Sequence, residues 1–149
     1  MTKTNGPRVA IAIAAGVVAA LATLAVSSFE AVGLADYSGN ELFWQFCSSC
    51  HGESGRGDGP VAPSLVTVPA DLTRISERYG AFPAARVRET IDGRGLVAAH
   101  GTRAMPIWGY ELWVEEGADV AAEKAVREAI DRLVEHVRML DERGESIVD

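Results

Sequence analysis

Cys47-Ser48-Ser49-Cys50-His51 constrains this chain more than any other five residues. It holds both cysteines of the sequence, so a disulfide scaffold is excluded. Two cysteines separated by two residues and followed by histidine form the attachment sequence for c-type haem. Each thiol adds to one porphyrin vinyl group, and the turn between them sets the next residue beneath the iron. An imidazole there ligates from the proximal side. The competing readings ask for more than the sequence supplies. A thioredoxin-type dithiol needs a βαβ setting, and no segment here alternates like a strand. A zinc site needs ligands near a second pair, and there are no more cysteines. A plain disulfide across the two-residue gap is the remaining alternative.

The N-terminus sets the compartment. Lys3 and Arg8 precede 21 uncharged residues, Val9 to Phe29, mostly Ala, Val, Ile and Leu. As a helix this run is about 31 Å long, enough to cross a bilayer. Two readings stay open. One is a secretory signal peptide, with small residues at Gly33-Leu34-Ala35 allowing cleavage before Asp36. The other is an uncleaved anchor with the basic flank left in the cytoplasm. Both export the remainder, and c-haem attachment is an extracytoplasmic event in bacteria. The expected location is the periplasmic side of the inner membrane, or the soluble periplasm if the signal is cleaved. The expected domains are 1–35, signal or anchor, and 36–149, an all-α domain.

Charge separates the exported part in two. Residues 36–110 carry 8 acidic and 7 basic side chains; residues 111–149 carry 12 and 5. The net charge of -7 argues against a nucleic-acid partner, because phosphate binding is led by basic patches. The acidic C-terminal third is a solvated helix face or a docking surface for a basic partner.

Helical spacing recurs along the chain. Leu42, Phe43 and Phe46 mark a helix over 39–49, with Ser38 or Asn40 as its cap. Four glycines between 52 and 60 mark a loop. Asp71–Tyr79 reads as a short helix, and Pro83–Ile91 as a better one with Gly93 past its end. Residues 93–110 read as loop. Val120–Leu140 carries the apolar stripe Val126, Ile130, Leu133, Val134, Val137 and Leu140.

A second axial ligand can be sought by elimination. Met139 and His136 belong to the last helix and read as packing residues. Met105 sits in a loop rich in glycine, and Pro106 stiffens its approach. A loop can carry a thioether over an open haem face, so Met105 is the first candidate. Its alternatives are a hydrophobe packing on the haem, or His100 as the ligand instead.

Residues 39–140 resemble a class I, mono-haem c-type cytochrome. Gly39, Phe43 and Phe46 lead into Cys47-Ser-Ser-Cys50-His51-Gly52. Ala62-Pro63-Ser64-Leu65 resembles the stretch whose proline carbonyl accepts the proximal histidine proton. Ile91-Asp92-Gly93 precedes the ligand loop, and Met105-Pro106-Ile107-Trp108-Gly109 is similar to the distal Met-Pro segment. Leu133–Val137 resembles the C-terminal helix that crosses the N-terminal one. Two departures are His136, near where many relatives carry an aromatic, and a long Tyr110–Gly117 segment. The resemblance implies a cytochrome c-like helical fold around one covalent haem c. It implies walls built by Phe43, Phe46, Leu65, Ile107 and Trp108. Arg94, Arg103 or Trp108 would donate to a propionate, the alternative for each arginine being a solvated surface residue.

Met/His ligation fills both axial positions and raises the reduction potential. That chemistry moves one electron and offers no site for a small-molecule substrate. The resemblance therefore implies an electron carrier and not a catalyst. Its partners would be redox proteins, with the membrane added if the N-terminal helix is kept. The first role is transfer between a quinol-oxidising respiratory or photosynthetic complex and a terminal acceptor. The alternative is the haem subunit of a periplasmic dehydrogenase or reductase. A peroxidase or gas sensor would need a labile sixth ligand.

Overall fold

The computed structural model describes residues 32–95 and 104–145. The expected membrane or signal helix, together with His100 and Arg103, lies outside the described residues. Every regular element among the described residues is helical. None of those helices is long and apolar enough to cross a membrane. The helical unit begins at Val32.

The helices are α1 (Gly39–Phe46), α2 (Ser48–His51), α3 (Ile75–Tyr79), α4 (Ala84–Asp92), α5 (Trp108–Glu115) and α6 (Val120–Glu145). Helix α1 starts where a capping box forms. The Ser38 hydroxyl accepts from Glu41 N–H, and Glu41 carboxylate accepts from Ser38 N–H at 2.8 Å. Its apolar face buries Leu42 and Phe43, while Trp44 on the other side is 64% exposed.

Helix α6 organises the rest. Asp119 caps it by accepting from Ala122 N–H at 2.8 Å. Val126, Ile130, Leu133, Val137 and Leu140 are all buried along one stripe. Each such side chain contributes about 1.5–3 kcal/mol when removed from water. Helices α1, α4 and α5 pack against this helix, as does the short turn Leu72–Arg74.

The crossing of α1 and α6 depends on Gly39. A Cβ there would lie 2.3 Å from the Arg132 carbonyl oxygen and 3.2 Å from His136 Cβ. One turn further on, the Phe43 ring meets the His136 imidazole, with centroids 4.9 Å apart. His136 therefore supplies a flat ring at the crossing, and it is buried, as a packing residue should be. Met139, in contrast, is 41% exposed. The buried carboxylate of Asp141 reaches from α6 to the start of α3. It accepts from Ile75 N–H at 2.6 Å, from Ser76 N–H at 3.1 Å and from the Ser76 hydroxyl. Arg138 stacks over Phe82 at 4.5 Å and holds the α3–α4 connection to the same helix.

Helix α5 departs from the sequence expectation, which ran loop through 110. Trp108 already begins a helix, and Leu112 is fully buried within it. Apolar residues on several of its sides, Trp108, Leu112, Trp113 and Val114, blur the helical spacing.

Candidate haem site

The attachment motif forms a single helical turn. His51 N–H donates to the Cys47 carbonyl at 2.9 Å, and Cys50 N–H to the same oxygen at 3.2 Å. Positions 47, 50 and 51 stand three and four residues apart, so their side chains share one face. The loop after the turn supplies the donors that its last carbonyls need. Gly57 N–H reaches His51 O at 2.8 Å, Gly59 N–H reaches Cys50 O at 3.1 Å, and Val61 N–H reaches Ser49 O at 3.0 Å. The approach is close: a Cβ on Gly59 would sit 2.4 Å from Ser49 O.

Both thiols are free. Burial, with a smaller push from Cys50, raises the Cys47 thiol to about 12. That is opposite to the lowered thiol of a reactive Cys-X-X-Cys redox pair. Among the described residues no three His, Cys, Asp or Glu side chains converge as a metal-ligand set. Among the described residues Cys47 and Cys50 thus have no further ligands of the kind a zinc site requires.

His51 Nδ1–H donates to the Ala70 carbonyl at 3.0 Å. Burial lowers the pKa of this imidazole, opposed by that bond. The ring is held neutral, with Nε2 left as the lone-pair nitrogen. A ligating imidazole needs that protonation state and a partner of this kind on its other nitrogen. The acceptor differs from the one the resemblance implied. It is Ala70, after Pro69, and not Pro63.

Cys47, Cys50 and His51 line a cavity of about 520 Å³. This lies within the roughly 300–1,000 Å³ of ligand and cofactor sites. Met105 and Pro106 line it from the segment before α5; Phe43 and Phe46 of α1, Leu65, and Trp108 at the start of α5 line it too. The rings of Phe46 and Trp108 meet with centroids 5.5 Å apart. A flat apolar macrocycle with two vinyl groups and one iron fits this donor set and these walls.

Three expected pocket residues are not brought to the cavity. Pro63 lies exposed in the turn Ala62–Ser64, and the chain reaches the cavity only from Leu65 onward. Ile107 stands at the N-cap of α5 and is 40% exposed. Arg94 is spent elsewhere. Its Nε donates to Asp92 at 2.7 Å and its terminal nitrogens to Glu123 at 2.7 and 3.2 Å. This fork ties the end of α4 to α6 and holds the Asp92 carboxyl below its ordinary value.

Sequence reasoning missed the far wall. Ile75, Val87, Ile91, Leu133 and Val137 also line the cavity. Val87 and Ile91 stand four apart on α4, a helical pair that marked a buried face but not what it faces.

No curated protein and no solved structure matches the chain. The family described as cytochrome c oxidase, cbb3-type, subunit III matches residues 35–137, well over half of the sequence. The chain belongs to this family and is a c-type cytochrome, an electron-transfer protein with covalently bound haem c.

Proposed function

We propose that the haem is attached at Cys47 and Cys50, that His51 and Met105 are its axial ligands, and that the chain carries single electrons to a terminal acceptor at the periplasmic face of the inner membrane. One observation carries the reading: two thiols, an imidazole and a thioether line the same apolar cavity. When bound, the haem iron takes up and releases one electron. The residues around it do the rest. The Ala70 carbonyl orients His51 and makes it a better donor. Phe43, Phe46, Leu65 and Trp108 keep water from the ring, which disfavours the more charged ferric form. A Met105 thioether bound to the iron would leave it no open site for oxygen or peroxide. The family's description as an oxidase subunit supports a terminal oxidase as the acceptor.

The test is a pyridine haemochrome measured after acid-acetone extraction. One haem per chain should stay with the protein. Haem leaving with the solvent, or a ratio of two, refutes the reading. Cys47→Ala and Cys50→Ala should each leave one thioether bond, and the double variant should give apo-protein.

The N-terminal segment is read as retained, and Leu34 argues against the one cleavage site the sequence offered, before Asp36. Its side chain is buried, its N–H donates to Glu116 at 2.6 Å, and its carbonyl accepts from Arg132 at 2.8 Å. Cleavage before Asp36 would remove that residue from the core and leave both partners without it. N-terminal sequencing of the native protein decides: a product starting at Asp36 contradicts retention.

A further inference from the structure

The chain has a net charge of -7, yet among the described residues no carboxylate lines the cavity. Among the described residues, its two formally cationic lining side chains are Arg78 and Arg86. They reach it from the α3–α4 hairpin, whose turn brings the Arg86 guanidinium over the Tyr79 ring at 5.0 Å. The aromatic face orients the cation without neutralising it.

Five other arginines among the described residues are paired with carboxylates, while Arg132 donates to the Leu34 carbonyl. Arg74 pairs with Glu77, Arg88 with Asp131, Arg94 with Asp92 and Glu123, Arg127 with Glu123, and Arg138 with Glu135. Among the described residues no carboxylate forms a salt bridge with Arg78 or Arg86; Glu77, which feels Arg78 weakly, is bridged to Arg74. Two arginines without acid partners at the rim of an apolar cavity make a preorganised site for carboxylates. A planar guanidinium is the side chain best matched to that group.

We propose that Arg78 and Arg86 bind the two propionate carboxylates of the haem and hold them ionised, replacing the role first expected of Arg94. The proposal rests on the covalent haem but not on the identity of the sixth ligand. A carboxylate carried to the edge of an apolar site otherwise favours its protonated form. Pairing to guanidinium keeps it charged, so electron uptake by the iron proceeds without proton uptake near neutral pH.

The experiment uses the full chain with haem attached, as wild type, Arg78→Gln, Arg86→Gln, the double variant and the Arg78→Lys/Arg86→Lys pair. The pyridine haemochrome is recorded first, and the midpoint potential is then titrated against pH. The wild-type potential should be flat around neutral pH. The double glutamine variant should have a lower potential that falls as pH rises, because its propionates now take up a proton on reduction. The lysine pair should recover most of the flat profile, which a merely structural role for the arginines would not produce. A double glutamine variant with the wild-type potential and a flat profile overturns the proposal. If that variant does not mature, the single variants decide in the same way, each with a smaller displacement. A wild-type chain without covalent haem would instead overturn the haem assignment itself.

Discussion

Gly39→Ala tests the helix crossing that closes the haem side of the fold. The new methyl carbon would stand 2.3 Å from the Arg132 carbonyl oxygen. An unstrained contact needs about 3.5 Å, so α1 and α6 must part by about 1 Å. A gap of that size forfeits about a quarter to a half of each dispersion contact across it. The contacts at risk include Phe43 against His136, 3.2 Å from the same methyl at His136 Cβ. Overpacking of this kind costs about 1–3 kcal/mol. Alanine returns at most about 1 kcal/mol through its helix propensity, and less at the first helical position. The net loss is on the order of 1–2 kcal/mol, or about 4–8 °C in melting temperature for a domain of this size. Far-ultraviolet circular dichroism of the haem-loaded protein reads it. Gly95→Ala is the control, since a Cβ there meets nothing within 4 Å among the described residues, and it should change stability by less than about 0.5 kcal/mol. A Gly39→Ala protein that melts with or above the wild type would refute the close crossing.

Asp141→Ala should cost about 2–3 kcal/mol, because it strands the buried Ile75 N–H and its neighbour at the start of α3. Chemical denaturation checks this, and a loss below about 0.5 kcal/mol would contradict it. Burial, aided by Arg143, lowers the pKa of His136 beneath its ordinary 6.5. The unfolded chain then binds the proton first, so stability present above pH 6.5 is lost as the pH falls below it. His136→Phe should remove that part of the acid sensitivity, measured as the wild-type minus variant difference in melting temperature across pH. An unchanged difference would contradict the buried neutral imidazole. Met105→His should keep a six-coordinate low-spin iron at a lower potential, by optical spectroscopy and redox titration. A potential equal to that of the wild type would remove Met105 from the iron.

The attachment turn was legible because its chemistry is local: positions 47, 50 and 51 share a face of any helical turn. The last helix was legible for a similar reason, since an unbroken stripe from Val126 to Leu140 needs no knowledge of its partner. Arg94 was not legible. Its partner Asp92 is a near neighbour, but Glu123 lies 29 residues away, and only folding brings it to the guanidinium. Ala70 was beyond reach for another reason. Its contribution to His51 is a backbone carbonyl, which every residue possesses, so the side chain gives no signal. Arg78 and Arg86 look like ordinary surface charges in the sequence. Their meaning comes from the apolar cavity beneath them and from the acid partners they lack among the described residues.

The central claim is a closed iron site held by His51 and Met105. Near-infrared absorption of the ferric protein at neutral pH tests it most directly, through the weak band of an iron–sulfur bond to methionine. The account predicts that the wild type shows this band and that Met105→Ala abolishes it while opening the reduced iron to carbon monoxide. A wild type without the band, or a band that survives Met105→Ala, would contradict it.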